Sequence, residues 1–249
     1  MKVVGIIPAR YASKRFPGKP LVDIAGKTMI QRVYEQTKKS IDAVYVATDD
    51  KRIQEAVLNF GGSVVMTSKK HHSGTDRIAE AIDIINKTEK EPFDIIVNIQ
   101  GDEPFIYPEQ INSVIACFRK KRTQIATLAK HIINTEDIFN ENKPKVILNH
   151  KKEAINFSRS PIPYFRGKKK TEWVTSHKYY KHIGLYAYRL DILKKITNLP
   201  ESALEIAESL EQLRWIENGY KIMVEETEFE SIGIDTPKDL KRIYDTGIL

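Results

Sequence analysis

Cysteine is almost missing from this 249-residue sequence, where Cys117 is the only one. A single thiol can form neither an internal disulfide nor a cysteine-built zinc cluster, so an unbridged protein of the reducing cytoplasm is expected. Long apolar runs are missing too. The amino terminus reaches Pro8 and Arg10 after a few apolar residues, too few for a signal-peptide core, and no later stretch approaches membrane length, so membrane insertion is not expected. No internal repeat or low-complexity tract is present. A Walker-type phosphate loop fails on spacing, because Gly26-Lys27-Thr28 would need a glycine where Leu21 stands.

Charge of one sign is only mildly in excess. Lys+Arg 40 against Asp+Glu 33 leave +7, which suits a polyanionic substrate and does not demand nucleic acid. The basic runs Arg119-Lys120-Lys121-Arg122 and Lys168-Lys169-Lys170 lie far apart and have no flanking aromatic ladder. The first closes a helix expected over 108–122, where cations suit the macrodipole, and both read as solvated surface.

What the sequence does have begins at Val3-Val4-Gly5-Ile6-Ile7, a short β-branched run that reads as a buried strand. It opens into a loop carrying Arg10, Lys14, Arg15 and Lys19, with no carboxylate before Asp23 and with Pro17-Gly18 and Pro20 restricting its freedom. Cations on a pre-bent loop at the carboxyl end of a strand point to an anion, most economically a polyphosphate.

The pattern then alternates. A helix over 28–38, a strand over 43–47, a helix capped by Thr48-Asp49-Asp50, a strand over 63–66, a helix over 75–86 and the apolar strand Asp94–Ile99 predict a doubly wound, mainly parallel α/β sheet. The loops at 8–20, 67–77 and 100–104 should converge at its strand ends. Beyond 122 come strand-like segments at 125–129, 145–148, 154–158 and 182–188 with few helices between them, so part of this half should be antiparallel. Residues 160–176 read as a long loop serving as a substrate-side lid or oligomer contact. A helix over 203–218, built on Leu204, Ile206, Leu210, Leu213 and Ile216, a strand over 221–224 and a last helix over 238–244 complete the chain. One domain, 1–249, is expected, with 1–122 as its nucleotide-binding half and 123–249 as its second half.

Asp102 follows an apolar strand, and Asp235 precedes Thr236-Pro237 at a strand-to-helix turn. Carboxylates at sheet ends beside a basic loop suit Mg²⁺ bridging protein to phosphate. Asp235 reads equally well as an ordinary cap of the helix that follows. His71 and His72 adjoin the 67–77 loop and are expected at the surface, with no metal. Trp173, Trp215, Tyr179 and Tyr180 are expected in packing or at a dimer contact, not as stacking platforms.

Seven segments in order, Pro8–Leu21, Ser73–Arg77, Asn98–Pro104, Phe157–Pro163, His182–Tyr186, Leu210–Leu213 and Gly233–Pro237, together resemble the 3-deoxy-D-manno-octulosonate (Kdo) cytidylyltransferases, the CMP-Kdo synthetases of lipopolysaccharide assembly. The resemblance implies a Rossmann-like nucleotidyltransferase sheet whose smaller antiparallel part binds sugar and dimerises. It implies Mg²⁺-dependent transfer of CMP from CTP to Kdo with release of pyrophosphate, by a homodimer. Carried over to this sequence, Arg10, Ser13, Lys19, Ser73, Arg77 and Gln100 would bind nucleotide, and Arg10, Lys19, Asp102 and Asp235 would be catalytic. Asp102 and Asp235 would ligate the metal. Gln100, Arg159, His182, Tyr186, Glu211 and Gln212 would surround the sugar. Ser160 and Tyr164 depart from the family's usual Ala and Trp.

Three rival readings accompany this one. The first keeps the chemistry on 8-amino-Kdo or a sialic-acid-like sugar. The second is a non-catalytic nucleotide- or RNA-binding module, disfavoured because Asp102 and Asp235 would repel phosphate without a metal. The third is a glycosyltransferase, disfavoured because Asp49-Asp50 is adjacent and not an Asp-x-Asp pair.

Overall fold

The computed structural model describes residues 1–12, 16–230 and 232–245. In chain order the elements are β1 (Val3–Ala9), β2 (Asp23–Ile24), β3 (Lys27–Thr28), α1 (Met29–Lys38), β4 (Ala43–Thr48), α2 (Lys51–Asn59), β5 (Val64–Met66), α3 (Gly74–Asn86), β6 (Ile95–Asn98) and α4 (Pro108–Ala116). They are followed by β7 (Ile125–His131), α5 (Thr135–Phe139), β8 (Lys145–Leu148), β9 (Ala154–Ser158), α6 (Trp173–Ser176), β10 (Tyr180–Arg189), α7 (Leu190–Ile196), α8 (Ala203–Glu208), α9 (Gln212–Glu217), β11 (Ile222–Glu226) and α10 (Pro237–Asp245). The chain forms two compact units, Met1–Asn112 with the closing segment that holds α10, and Ser113–Glu230.

The first unit is the doubly wound α/β layer that the alternation predicts. Its strands run β5-β4-β1-β6, all parallel. Val4, Ile6, Ile7, Ile95, Ile96 and Val97 are fully buried, as strands covered on both faces by helices require. The chain order reverses between β1 and β6, and ligands bind outside the carboxyl ends of strands at such a switch point. Local chemistry fixes the helix starts: Thr28, Asp50 and Ser73 accept the first free backbone N–H groups of α1, α2 and α3. The closing segment belongs here because Ile234 and Ile243 pack with Ile24 and Met29.

The second unit is largely antiparallel. Strand β10 pairs antiparallel with β7 and β8, β8 pairs antiparallel with β9, and β11 runs parallel to β7. Trp173 and Tyr179 are buried with Ile132 and Ile138, and Trp215 is buried too, which bears out their packing role. Within the expected 160–176 loop, α6 anchors Trp173, and Tyr179 Oη donates to the Pro163 carbonyl at 2.9 Å.

Two helices differ from expectation. The first, α4, stops at Ala116 and tightens into a 3-10 turn over Cys117–Arg119 that buries Cys117 and Phe118, so most of the basic run lies beyond the helix. The helix expected over 203–218 is two helices. Ser209 adopts a left-handed conformation, φ 50 and ψ 48, and ends α8, while the Arg159 guanidinium takes up the freed carbonyls of Glu208 and Ser209. Leu204 and Ile206 are therefore exposed and not core, with Ile206 at 66%.

Candidate active site

The carboxyl ends of β1 and β6 and the amino end of α3 enclose a cavity of about 250 Å³ in the first unit. Arg10, Lys19, Ser73, Arg77, Gln100, Asp102 and Asp235, seven of the residues singled out from the sequence, all line it. Ser13 lies outside the described residues. The loops at 8–20, 67–77 and 100–104 thus converge as expected, joined by the turn at Asp235.

Backbone geometry makes the approach possible. A Cβ on Gly101 would meet the Pro8 carbonyl oxygen at 2.9 Å, so only glycine lets the loop after β6 run this close to the end of β1. Gly18, at φ 73, turns the basic loop back so that its N–H meets the Tyr11 carbonyl at 3.0 Å and Lys19 begins a short 3-10 turn. Ile234 N–H donates to the Asp102 carbonyl at 2.9 Å and fixes the closing segment beside the β6 loop.

The charges are arranged in pairs. Lys19 Nζ lies 2.7 Å from Asp102 Oδ2 and 3.1 Å from Asp235 Oδ1. The alternative role of Asp235 as a helix cap does not apply. Thr236 Oγ1 accepts the Asp239 N–H at 3.3 Å and Asp239 Oδ2 accepts the Thr236 N–H at 2.9 Å, so α10 is capped by the neighbour and the Asp235 carboxylate turns to Lys19. Two carboxylates within reach of one ammonium can share one cation. Hard oxygen donors in that number, with room left for phosphate oxygens and water, form the set magnesium uses when it joins protein to phosphates. Among the described residues no group of three or more His, Cys, Asp or Glu forms an all-protein metal cage.

Arg77 is 4% exposed and held from two sides. Its Nη1 donates to Thr67 Oγ1 at 2.6 Å, and its Nη2 lies 3.4 Å from Asp49 Oδ2. The carboxylate of Asp49 thus serves to brace a cavity side chain. Ser73 Oγ accepts the Asp76 N–H at 3.1 Å and keeps its own proton for another acceptor.

The remaining predicted residues belong to the second unit, apart from Gln100 in the first. On β10, the rings of His182 and Tyr186 lie 5.2 Å apart, and Tyr186 meets Trp215 of α9 edge-on at 5.2 Å. Burial, with Tyr188 and Glu211 adding to it, holds the Tyr186 phenol well above its ordinary value, and burial pushes His182 down to about 3. Both rings are therefore neutral at pH 7. Glu211 accepts from Arg214 Nη2 at 3.0 Å. Gln212 is buried, and its Nε2 has no hydrogen-bond partner among the described residues. Arg159 is placed differently: its guanidinium is spent on the backbone carbonyls of Glu208, Glu141 and Ser209.

A profile of the family described as Cytidylyltransferase matches residues 4–223. A 3-deoxy-manno-octulosonate cytidylyltransferase of Parabacteroides distasonis is 64% identical over 246 residues, covering 97% of this chain and 96% of the relative. This chain belongs to that family. A second 3-deoxy-manno-octulosonate cytidylyltransferase, from Bacteroides thetaiotaomicron, is 60% identical over 244 residues, covering 97% of this chain and 96% of its own. The solved structure of CMP:2-keto-3-deoxy-manno-octonic acid synthetase complexed with CTP matches with a TM-score of 0.89 at 42% identity, covering 100% of this chain and 99% of that one. The α/β nucleotidyltransferase fold expected from the sequence is thereby shown.

Two histidines of this cytidylyltransferase chain that were expected at the surface also belong to the cavity wall, and His72 is exposed as expected. His71 and His72 both line the cavity, and His71 is half-buried with Nε2 against Glu80 Oε2. Their position just before Ser73–Arg77 was the available signal.

Proposed function

We propose that this chain is an enzyme that transfers CMP from CTP to 3-deoxy-D-manno-octulosonate, releasing pyrophosphate, for lipopolysaccharide assembly in the cytoplasm. The convergence of Arg10, Lys19, Asp102 and Asp235 on one cavity at the sheet's switch point carries this reading for the nucleotide. The sugar is the one named in the relatives described above. Among the described residues no helix is long and apolar enough to cross a membrane.

In the proposed reaction the anomeric hydroxyl oxygen of the sugar forms a bond to the α-phosphorus as the bond from that phosphorus to the bridging oxygen breaks, the hydroxyl proton is lost, and pyrophosphate leaves. Such a displacement needs positioning and charge neutralisation more than covalent help. Arg10 and Lys19 supply fixed positive charge to the triphosphate. Lys19 would give its ammonium to the phosphates and release Asp102 and Asp235 to a divalent ion. Magnesium, when bound there, supplies the neutralisation that brings two anionic substrates together. Ser73 and Arg77 would meet the base, and Gln100 would lie between nucleotide and sugar roles. His182, Tyr186, Glu211 and Gln212 would contact the sugar, with the idle Gln212 amide as a donor for its oxygens. Arg159 would hold the α8–α9 break on which Glu211 and Gln212 depend.

A homodimer is proposed as well. It is supported by apolar side chains that the second unit leaves in solvent, Ile206 on α8 and Ile155 on β9. Light scattering during size exclusion tests it, and a monomer at micromolar concentration would reject it.

Pyrophosphate release from CTP and Mg²⁺ tests the reaction, with Kdo run beside 8-amino-Kdo, sialic acid and a no-sugar control. Release with Kdo alone is expected. Release with another acid sugar would keep the transfer and change the acceptor, and silence with every sugar would reject the reading.

A further inference from the structure

Strand β10 slips in register against β7 between Ile183 and Tyr186. At that irregularity the carbonyl oxygens of Ile183 and Leu185 lie 3.1 and 2.8 Å from Thr127 Oγ1. His182 Nε2 lies 3.0 Å from the same oxygen. Thr127 is fully buried, and the Tyr186 phenol, which can donate its own proton to the same oxygen, is its remaining polar neighbour, so these groups decide how the hydroxyl is used.

A hydroxyl has one proton to give. The two carbonyls can only accept, and a Thr127 proton turned toward His182 would leave both of them facing oxygen lone pairs in a buried site. The proton therefore goes to the carbonyls, and the Thr127 lone pair must receive one from Nε2. A neutral imidazole has a single N–H, so Nδ1 is bare. Burial disfavours the charged ring and with it the alternative in which both nitrogens carry protons.

We infer that Thr127 is a positioning residue: its hydroxyl fixes His182 as the Nε2–H tautomer, so that the ring offers Nδ1 as an acceptor to a sugar hydroxyl and no donor to the sugar carboxylate. The sugar part of this inference rests on the reading of His182 as a sugar contact under Proposed function. The tautomer part does not. Recognition of the carboxylate then falls to other donors, while His182 selects for a hydroxyl.

The test is a long-range ¹H–¹⁵N correlation spectrum of the full chain labelled at histidine rings, at pH 7 without substrate, with His182 assigned through His182→Gln. A proton-bearing Nε2 and a bare Nδ1 are expected in the wild type and in Thr127→Ser, which keeps the hydroxyl. In Thr127→Val, which keeps the shape and loses the hydroxyl, the pattern should mix or reverse. An Nδ1–H ring in the wild type would overturn the inference without any variant, as would a His182 spectrum unchanged in Thr127→Val. In turnover, Thr127→Val should raise the KM for Kdo by roughly tenfold and leave the KM for CTP alone, with Thr127→Ser near the wild type. Equal effects on both substrates would overturn the sugar part. The expected tautomer in a protein that turns over no acid sugar would uphold the role of Thr127 on the ring and reject the proposed function instead.

Discussion

Lys19 and Asp235 stand 216 residues apart in the chain, and the ammonium nitrogen of one lies 3.1 Å from a carboxylate oxygen of the other. The same nitrogen reaches Asp102 at 2.7 Å. One cation thus holds together the loop after β1, the loop after β6 and the turn before α10. The three charged side chains form a single unit, and each should respond when another is changed.

Asp102→Asn keeps the size of the side chain and removes one of the two carboxylates proposed for the metal. Turnover should fall by about 100-fold or more, with the thermal midpoint little changed. Pyrophosphate release at saturating CTP measures it, and near-normal turnover would take Asp102 out of the mechanism.

Lys19→Ala should act in two directions. Loss of the ammonium removes the phosphate contact proposed for it and should raise the KM for CTP by about tenfold or more. It also leaves Asp102 and Asp235 without that cation, so the nucleotide-free protein should bind Mn²⁺ more tightly than the wild type. Calorimetric titration with Mn²⁺ separates the two effects, and weaker ion binding would contradict a shared carboxylate site.

His182 gives the stability a defined acid limb. Burial lowers its value from the ordinary 6.5 to about 3, so between those limits the unfolded chain binds a proton that the folded one refuses. Stability is then fully present above about pH 6.5 and falls as the pH drops toward 3. The total loss over that range would be roughly 5 kcal/mol. Urea unfolding at pH 7, 5 and 4 should show a shallower decline for His182→Gln, and parallel curves would show that the ring is accessible to protons.

Ser209 is a serine in the left-handed region, at φ 50. Glycine adopts that conformation without a Cβ clash, and relief of that clash outweighs the unfolded-state entropy that glycine adds, so Ser209→Gly should stabilise the protein by about 0.5–1 kcal/mol. Chemical denaturation gives the number. A loss of stability would mean that the serine side chain matters at the break between α8 and α9.

Much of the fold is written in local pattern. Strands covered on both faces must be apolar throughout, so β1, β4 and β6 stand out as runs, and α2 is announced by Asp50 as its cap, while the capping by Thr28 and Ser73 emerged only with the structure. The break at Ser209 was not legible. Leu204, Ile206, Leu210 and Leu213 keep a helical spacing across it, and spacing alone does not register that Arg159, about fifty residues earlier, supplies the hydrogen bonds that let the helix end there.

The sequence by itself determined the α/β alternation, the basic loop at the end of the first strand and the chemical types available for a phosphate site. These follow from short-range sterics, periodicity and charge. Only the tertiary structure decided that Asp235 turns to Lys19 while Thr236 caps α10, that Asp49 braces Arg77, and that a hydroxyl on β7 lies against the ring of a histidine on β10. Those are choices among partners equally suitable in chemistry, and partners distant in the chain are selected by packing the strands and turns that carry them.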